Sequence, residues 1–155
     1  MAARIQNIIL KGDPIRKEEL AASVITPGDV VEFTSADTLQ RHGTAGANAA
    51  PRFAVEEDFV GDEITDNYAA GDRVQYVVAR QGDELYALLA SGQNVAKGAF
   101  LESAGDGLLQ AYTNQSGANI FPNAIVCSAL EDKDNSGGDA DGPHGTATRI
   151  IVEVV

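Results

Sequence analysis

The chain has 155 residues, of which 44% are hydrophobic, so it is long enough for one domain with a single core that needs neither disulfides nor metal. Its 11 Lys and Arg stand against 23 Asp and Glu, and the formal net charge of -12 repels a phosphate backbone, which excludes nucleic acid as a partner. One cysteine permits no intramolecular disulfide, and no segment approaches the ~20 apolar residues of a membrane helix.

Short strands and tight turns are predicted along the whole chain. Glycines recur at short intervals, often as Gly-Asp, and the segments between them alternate β-branched or aromatic residues with polar ones. The clearest predicted strands are 29–34, 72–80, 98–103, 108–113, 123–130 and 148–155.

Residues 1–24 are predicted to be an N-terminal arm or the first strand of the domain, and residues 25–155 a single β-rich domain. The apolar cluster of the N-terminal segment is too short for the core of a signal peptide, so the protein is expected to remain unsecreted. An extended segment of this kind can pair with the exposed edge of a neighbouring sheet. The candidate residues for such a subunit contact are Ile5, Ile8, Ile9 and Leu10.

Helix is expected to be scarce, at most one or two short turns. Only residues 16–23 and 82–92 contain helix-forming residues at sufficient density. The second segment is equally compatible with a strand that places Leu85 and Ala87 inward.

Residues 28–42 and 98–112 echo each other, and each is predicted to be a β-hairpin. Hairpin turns are predicted around Asp37, Gln81 and Asp106, where Gly107 supplies the positive φ that tight hairpin turns require. The predicted fold class is therefore all-β, a small β-barrel or β-sandwich built of short hairpins.

Residues 42–72 are rich in Gly, Ala and acids and too long for a structureless loop in a compact domain. They are predicted to fold over the core through Phe53, Val55, Phe59 and Ile64.

No residue pattern predicts catalysis. Cys127 lies in an apolar run and is expected to pack as a small hydrophobe, whereas His42 and His144 occupy glycine-flanked turns that are typical of exposed loops. Adjacent carboxylates lie in charged runs that indicate a solvated face. Neither a nucleophile elbow nor a zinc-protease motif occurs, so the sequence predicts no enzyme and no cofactor.

The acidic stretch 131–145 begins like a calcium-binding EF-hand loop. Asp132, Asp134, Ser136 and Gly137 match its first positions, but Pro143 stands where the bidentate Glu would complete the coordination sphere. A solvated loop without a metal is therefore predicted. The alternative function is a calcium-dependent protein-binding module, whose candidate ligands are Asp132, Asp134, Asp139 and Asp141.

In the order of its segments the chain resembles the capsid decoration (cement) proteins of tailed bacteriophages. The resemblance covers nearly the whole length and rests on "NIILKGDP", on residues 25–61 and 68–109, and on "ALEDKDNSGG" followed by "TRIIVEVV". It implies a non-enzymatic virion protein, synthesised in the host cytoplasm, that binds the outer surface of an expanded capsid. The implied partners are the major capsid protein, whose subunits it would bridge, and further copies of itself in a homotrimer. Ile5, Ile8, Ile9 and Leu10 become candidate capsid contacts.

Overall fold

The computed structural model describes residues 5–113 and 121–155, and the predicted all-β class is confirmed. Within these ranges no helix has the length and hydropathy that a membrane span requires. A single 3₁₀ turn occurs there, at Pro143–Gly145. The strands are β1 (Ile9–Lys11), β2 (Ile15–Leu20), β3 (Val31–Phe33), β4 (Leu39–Arg41), β5 (Arg52–Ala54), β6 (Arg73–Val78), β7 (Glu84–Leu89), β8 (Gln93–Val95), β9 (Phe100–Gly105), β10 (Leu108–Ala111), β11 (Ile125–Ala129), β12 (Lys133–Asn135) and β13 (Thr148–Val154).

A closed five-stranded barrel forms the centre of the molecule. Its strand order is β7, β10, β9, β11 and β13, and pairing of β13 with β7 closes the ring. Alternate residues of β7 and β13 face one interior, as the two-residue period of a strand requires. Leu85 and Leu89 of β7 and Ile150 and Val152 of β13 are fully buried in one core cluster. The sequence predicted either a barrel or a sandwich, and the structure has a barrel.

Smaller sheets pack outside the barrel. The β2, β6 and β5 strands form a three-stranded sheet, while β3 pairs with β4 and β8 with β12. The helix considered at 16–23 is wrong, because Ile15–Leu20 pairs with β6 along its whole length. Tertiary pairing outweighs the helix propensity of its Lys and Glu residues. For residues 82–92 the strand alternative holds, with Leu85 and Ala87 buried.

Two of the three predicted hairpins are confirmed. Asp37 lies in the turn between β3 and β4, and Asp106 in the turn between β9 and β10, both at positive φ. The hairpin around Gln81 is wrong. A turn does occur there, but β6 and β7 on either side of it belong to different sheets.

The N-terminal segment pairs with this chain's own barrel. Strand β1 runs antiparallel to β7, with Ile9 opposite Leu85. Ile8 is 0% exposed in the main core cluster, so its side chain is not a free contact surface, whereas Ile5 is exposed. Contact of Ile5, Ile9 and Leu10 with a capsid stays a prediction.

The segment 42–72 packs over the core at three of the four apolar positions predicted to do so. Phe53, Val55 and Ile64 are buried. The fourth position is wrong, because Phe59 is 84% exposed at the tip of a turn.

Candidate functional site

The acidic stretch 131–145 is held against the barrel rather than being a free loop. Its strand β12 pairs with β8, and the buried Asn135 donates from Nδ2 to the carbonyl oxygens of Leu89 (3.2 Å) and Thr146 (3.1 Å). Asp139 N–H donates to the same Thr146 oxygen at 3.0 Å. The stretch is mostly exposed, in agreement with the predicted solvated loop, and backbone pairing and one amide side chain hold it in place.

The four candidate calcium ligands do not converge in this structure. Asp132 accepts the Lys97 N–H at 2.8 Å, and Asp139 accepts the Asp141 N–H at 3.1 Å. Asp134 accepts hydrogen bonds from Ser136, which lower the pKa of this carboxyl. Over 5–113 and 121–155 no group of three or more His, Cys, Asp or Glu side chains is placed to hold a metal ion. Asp134 and Asp139 therefore order local turns, whereas Asp132 links the stretch to Lys97, 35 residues away in the sequence.

A buried charge network fastens the end of this segment to the rest of the molecule. Asp29 is 0% exposed and accepts from Thr26 N (2.7 Å) and from Arg41 Nε (2.9 Å). Its other oxygen, Oδ1, lies 2.8 Å from Nε2 of His144. The expectation of an exposed His144 is wrong, since its side chain is 5% exposed. Its partner lies 115 residues away in the sequence, and no local signal announces such a contact.

The turn at Asp106 completes this network from the barrel side. Asp106 lies 3.4 Å from Arg41 Nη1 through one oxygen and 3.4 Å from His144 Nδ1 through the other. Gly107 approaches Asp29 so closely that a Cβ there would lie 2.7 Å from Oδ1, so only glycine fits. The network thereby joins the β9–β10 turn, the β3–β4 hairpin and the 3₁₀ turn.

Beside this network lies an open polar cleft of ≈ 470 Å³ between the barrel wall and the acidic segment. Arg149 forms part of its wall, donating from Nη1 to the Pro27 carbonyl (2.9 Å) and from Nη2 to the Ile64 carbonyl (2.8 Å). Its guanidinium lies over the Tyr86 ring at 5.7 Å, and burial lowers its pKa from an ordinary value far above neutrality. Through these two hydrogen bonds Arg149 connects strand β13 with the chain at Pro27 and at Ile64.

His42 and Ser103 form a second buried pair, which resembles a base beside a nucleophile. His42 Nδ1 lies 2.7 Å from Ser103 Oγ, and its Nε2 lies 2.9 Å from the Asn48 carbonyl oxygen. That carbonyl can only accept, so Nε2 donates to it, and in the neutral imidazole Nδ1 then accepts from the serine hydroxyl. Ser103 is 0% exposed and His42 is buried, so the expectation of an exposed His42 is wrong. The pair satisfies polar groups in the core and offers no surface to a substrate.

The turn 57–62 carries two highly exposed apolar side chains. Its tip residues Phe59 and Val60 are 84% and 72% exposed, the two highest values among the large apolar side chains of the described residues. The base of the segment 42–72 is buried: Glu56 accepts the Ile8 N–H at 3.2 Å and Tyr68 donates its hydroxyl to the Val55 carbonyl at 2.6 Å. No sequence signal separated Phe59 from its buried neighbours, because its spacing fits a core position as well.

A comparison with solved structures supports the fold. The chain is similar to the N-terminal base of the head fibre protein gp8.5 of bacteriophage phi29, with a TM-score of 0.56 and 10% sequence identity over 91% of this chain and 93% of that one. No protein-family model matches the chain, and no curated protein matches it. At this identity the likeness is one of fold: both chains share one β architecture along nearly their whole lengths.

Proposed function

We propose that this chain is a non-enzymatic structural protein of a phage virion, which binds the outer surface of the expanded capsid and bridges subunits of the major capsid protein. The observation that carries the proposal is the shared fold with the base of a phage head fibre. The order of segments that resembles phage decoration proteins supports the same assignment independently.

The physical properties of the chain suit such a role. Closing the barrel leaves none of its five strands with an unpaired edge, which favours a rigid body. The net charge of -12 keeps a densely displayed protein soluble. Each copy that binds only the assembled shell stabilises it by mass action, and many copies add their effects.

The burial of the His42 and Ser103 pair supports a non-enzymatic role. His42 and Ser103 lie 2.7 Å apart, but both are buried, and the second ring nitrogen of His42 is engaged by the Asn48 carbonyl. A substrate would have to open the core to reach them.

The test is binding to undecorated expanded heads. The purified chain is mixed with these heads and with unexpanded heads, and the mixtures are sedimented. We expect saturable co-sedimentation with the expanded heads, and an increase in the temperature at which they rupture. Absence of co-sedimentation with any head would overturn the proposal. Analytical ultracentrifugation of the free chain tests the proposed homotrimer separately.

A further inference from the structure

The apolar tip formed by Phe59 and Val60 has no role in the fold described above. A phenylalanine at 84% exposure contributes almost nothing to the core, and the adjacent valine at 72% exposure adds to the apolar surface offered to water. Two adjacent apolar side chains at a protruding turn are suited to burial in a partner.

The backbone presents this tip in a fixed shape. Val60 N–H and Asp62 N–H both donate to the Glu57 carbonyl, at 3.3 and 3.1 Å, and Gly61 N–H donates to the Asp58 carbonyl at 3.3 Å. Gly61 adopts φ +84, which closes the turn. Buried Ile64 on one side and the Glu56 contact with Ile8 on the other anchor the base. A turn ordered before binding loses little conformational entropy when it docks.

The charge around the tip specifies the partner. Residues 56–66 contain six acids and no basic residue. Arg16 Nη2 lies 3.9 Å from Asp58 Oδ2, but this ion pair is exposed to solvent and neutralises little of the acidic charge. A second copy of this acidic chain would bring like charge to the contact, and an anionic membrane would repel it. The complementary surface is a protein with an apolar pocket rimmed by Lys and Arg.

We propose that Phe59 and Val60 insert into an apolar, basic-rimmed pocket of the capsid shell and are the main anchor of this chain on it. The inference rests on the proposed capsid binding and identifies the contact that carries it. The acidic residues around the tip steer the chain towards the shell, and insertion of the tip into the pocket slows its release.

The test compares a tip variant, Phe59→Ser with Val60→Ser, with a control, Phe100→Ser, at another exposed phenylalanine of 52% exposure. Both variants are checked for an unchanged melting temperature and are then titrated against expanded heads. We expect the tip variant to bind at least about tenfold more weakly, and the control to stay within about twofold of the unaltered chain.

A pair of Asp→Asn substitutions tests the role of the acidic residues around the tip independently. Asp58→Asn with Asp62→Asn is compared with Asp139→Asn with Asp141→Asn, which changes the net charge equally in the stretch 131–145. Only the first pair of substitutions is expected to lower the rate of association with expanded heads and to make that rate less dependent on salt concentration.

Three results would overturn the inference. The first is a tip variant that binds expanded heads as tightly as the unaltered chain, which leaves the capsid-binding function standing. The second is tip-dependent binding to phosphatidylglycerol vesicles, or tip-dependent self-association, instead of binding to heads. The third is failure of the unaltered chain to bind heads at all, which removes the proposed function together with the inference.

Discussion

Asp29 makes contacts that join distant parts of the chain. It is fully buried, yet three donors surround its carboxylate: Thr26 N–H, Arg41 Nε and His144 Nε2. A buried carboxylate is tolerated only where hydrogen bonds and an opposite charge replace its hydration. The charge of Asp29 therefore matters more to folding than that of its solvent-exposed counterpart, Asp106.

Removing the charge of Asp29 should cost far more than removing that of Asp106. Asp29→Asn leaves Arg41 facing a neutral group in a buried site, and we expect a loss of about 3 kcal/mol in the free energy of unfolding. Asp106→Asn alters a side chain that is 66% exposed and should cost less than about 1 kcal/mol. Urea denaturation of both variants measures the difference. Equal losses would show that Asp29 does not depend on its charge.

The buried thiol of Cys127 should make stability fall in alkali. Burial raises the pKa of Cys127 above its ordinary value of 9.0, so the unfolded thiol ionises first as pH rises. Its contribution is complete below that value and is lost above it. Tyr68, Tyr76 and Tyr86 have pKa values raised mainly by burial and act in the same direction above 10.0.

We therefore expect the melting temperature to drop as pH rises above about 9, and to drop less in Cys127→Ala. The thiol should also resist a thiol-specific reagent in the folded chain and react fully in denaturant. Labelling of the folded chain at the denatured rate, or an identical alkaline drop in Cys127→Ala, would contradict the assigned burial.

At the scale of elements, the stretch 131–145 shows how a charged segment becomes ordered. Strand β12, the Asn135 amide and the His144 contact with Asp29 tie it down at successive points. Gly142 lies where the chain passes the Ala147 carbonyl, and a Cβ there would overlap the oxygen. A residue with a Cβ at this position therefore requires the backbone to shift.

Gly142→Ala should disrupt this segment, whereas Gly137→Ala should not. A side chain at 142 has to displace the Ala147 carbonyl, and we expect a loss of about 2 kcal/mol in the free energy of unfolding. A Cβ at Gly137 meets no atom within 4 Å, so the change should stay within about 0.5 kcal/mol. Denaturant titrations measure both variants, and an unaffected Gly142→Ala would mean that the segment is not packed as described.

Calcium should leave the protein unchanged. The oxygens of Asp132, Asp134 and Asp139 already accept backbone hydrogen bonds from different residues, and Pro143 replaces the bidentate Glu of an EF-hand. Titration calorimetry with CaCl₂ should show no saturable heat, and the melting temperature should not shift. A saturable heat abolished by Asp132→Asn with Asp134→Asn would instead support the calcium-dependent module.

What the sequence could predict depends on the range of the contacts. The predicted strand 148–155 became Thr148–Val154, and the turns at Asp37 and Asp106 were recognised, because alternation and turn residues are local signals. Residues 16–23 looked helical because their pairing with β6 is not local. The burial of His144 and the exposure of Phe59 depend on folding of the whole chain, so neither could be predicted from its neighbours.

As a whole, the molecule is a closed barrel that carries two features: the docked acidic stretch 131–145 and the exposed apolar tip formed by Phe59 and Val60. Asn135 fastens the acidic segment to the barrel at Leu89, and the contacts of Glu56 with Ile8 and of Tyr68 with Val55 hold the base of the apolar tip. Its fold is similar to the base of a phage head fibre along nearly the whole chain. A rigid body with a fixed apolar protrusion is suited to adding to a preformed surface, because little ordering is needed on binding.

The proposed function requires the chain to bind the outside of an expanded capsid across subunit boundaries. Electron cryomicroscopy of expanded heads saturated with the purified chain tests it most directly, by comparison with undecorated heads. We predict additional density of barrel size on the outer surface, each copy touching at least two shell subunits, with the turn 57–62 facing the shell. Heads without additional density, or with density confined to the interior or to single subunits, would contradict the claim.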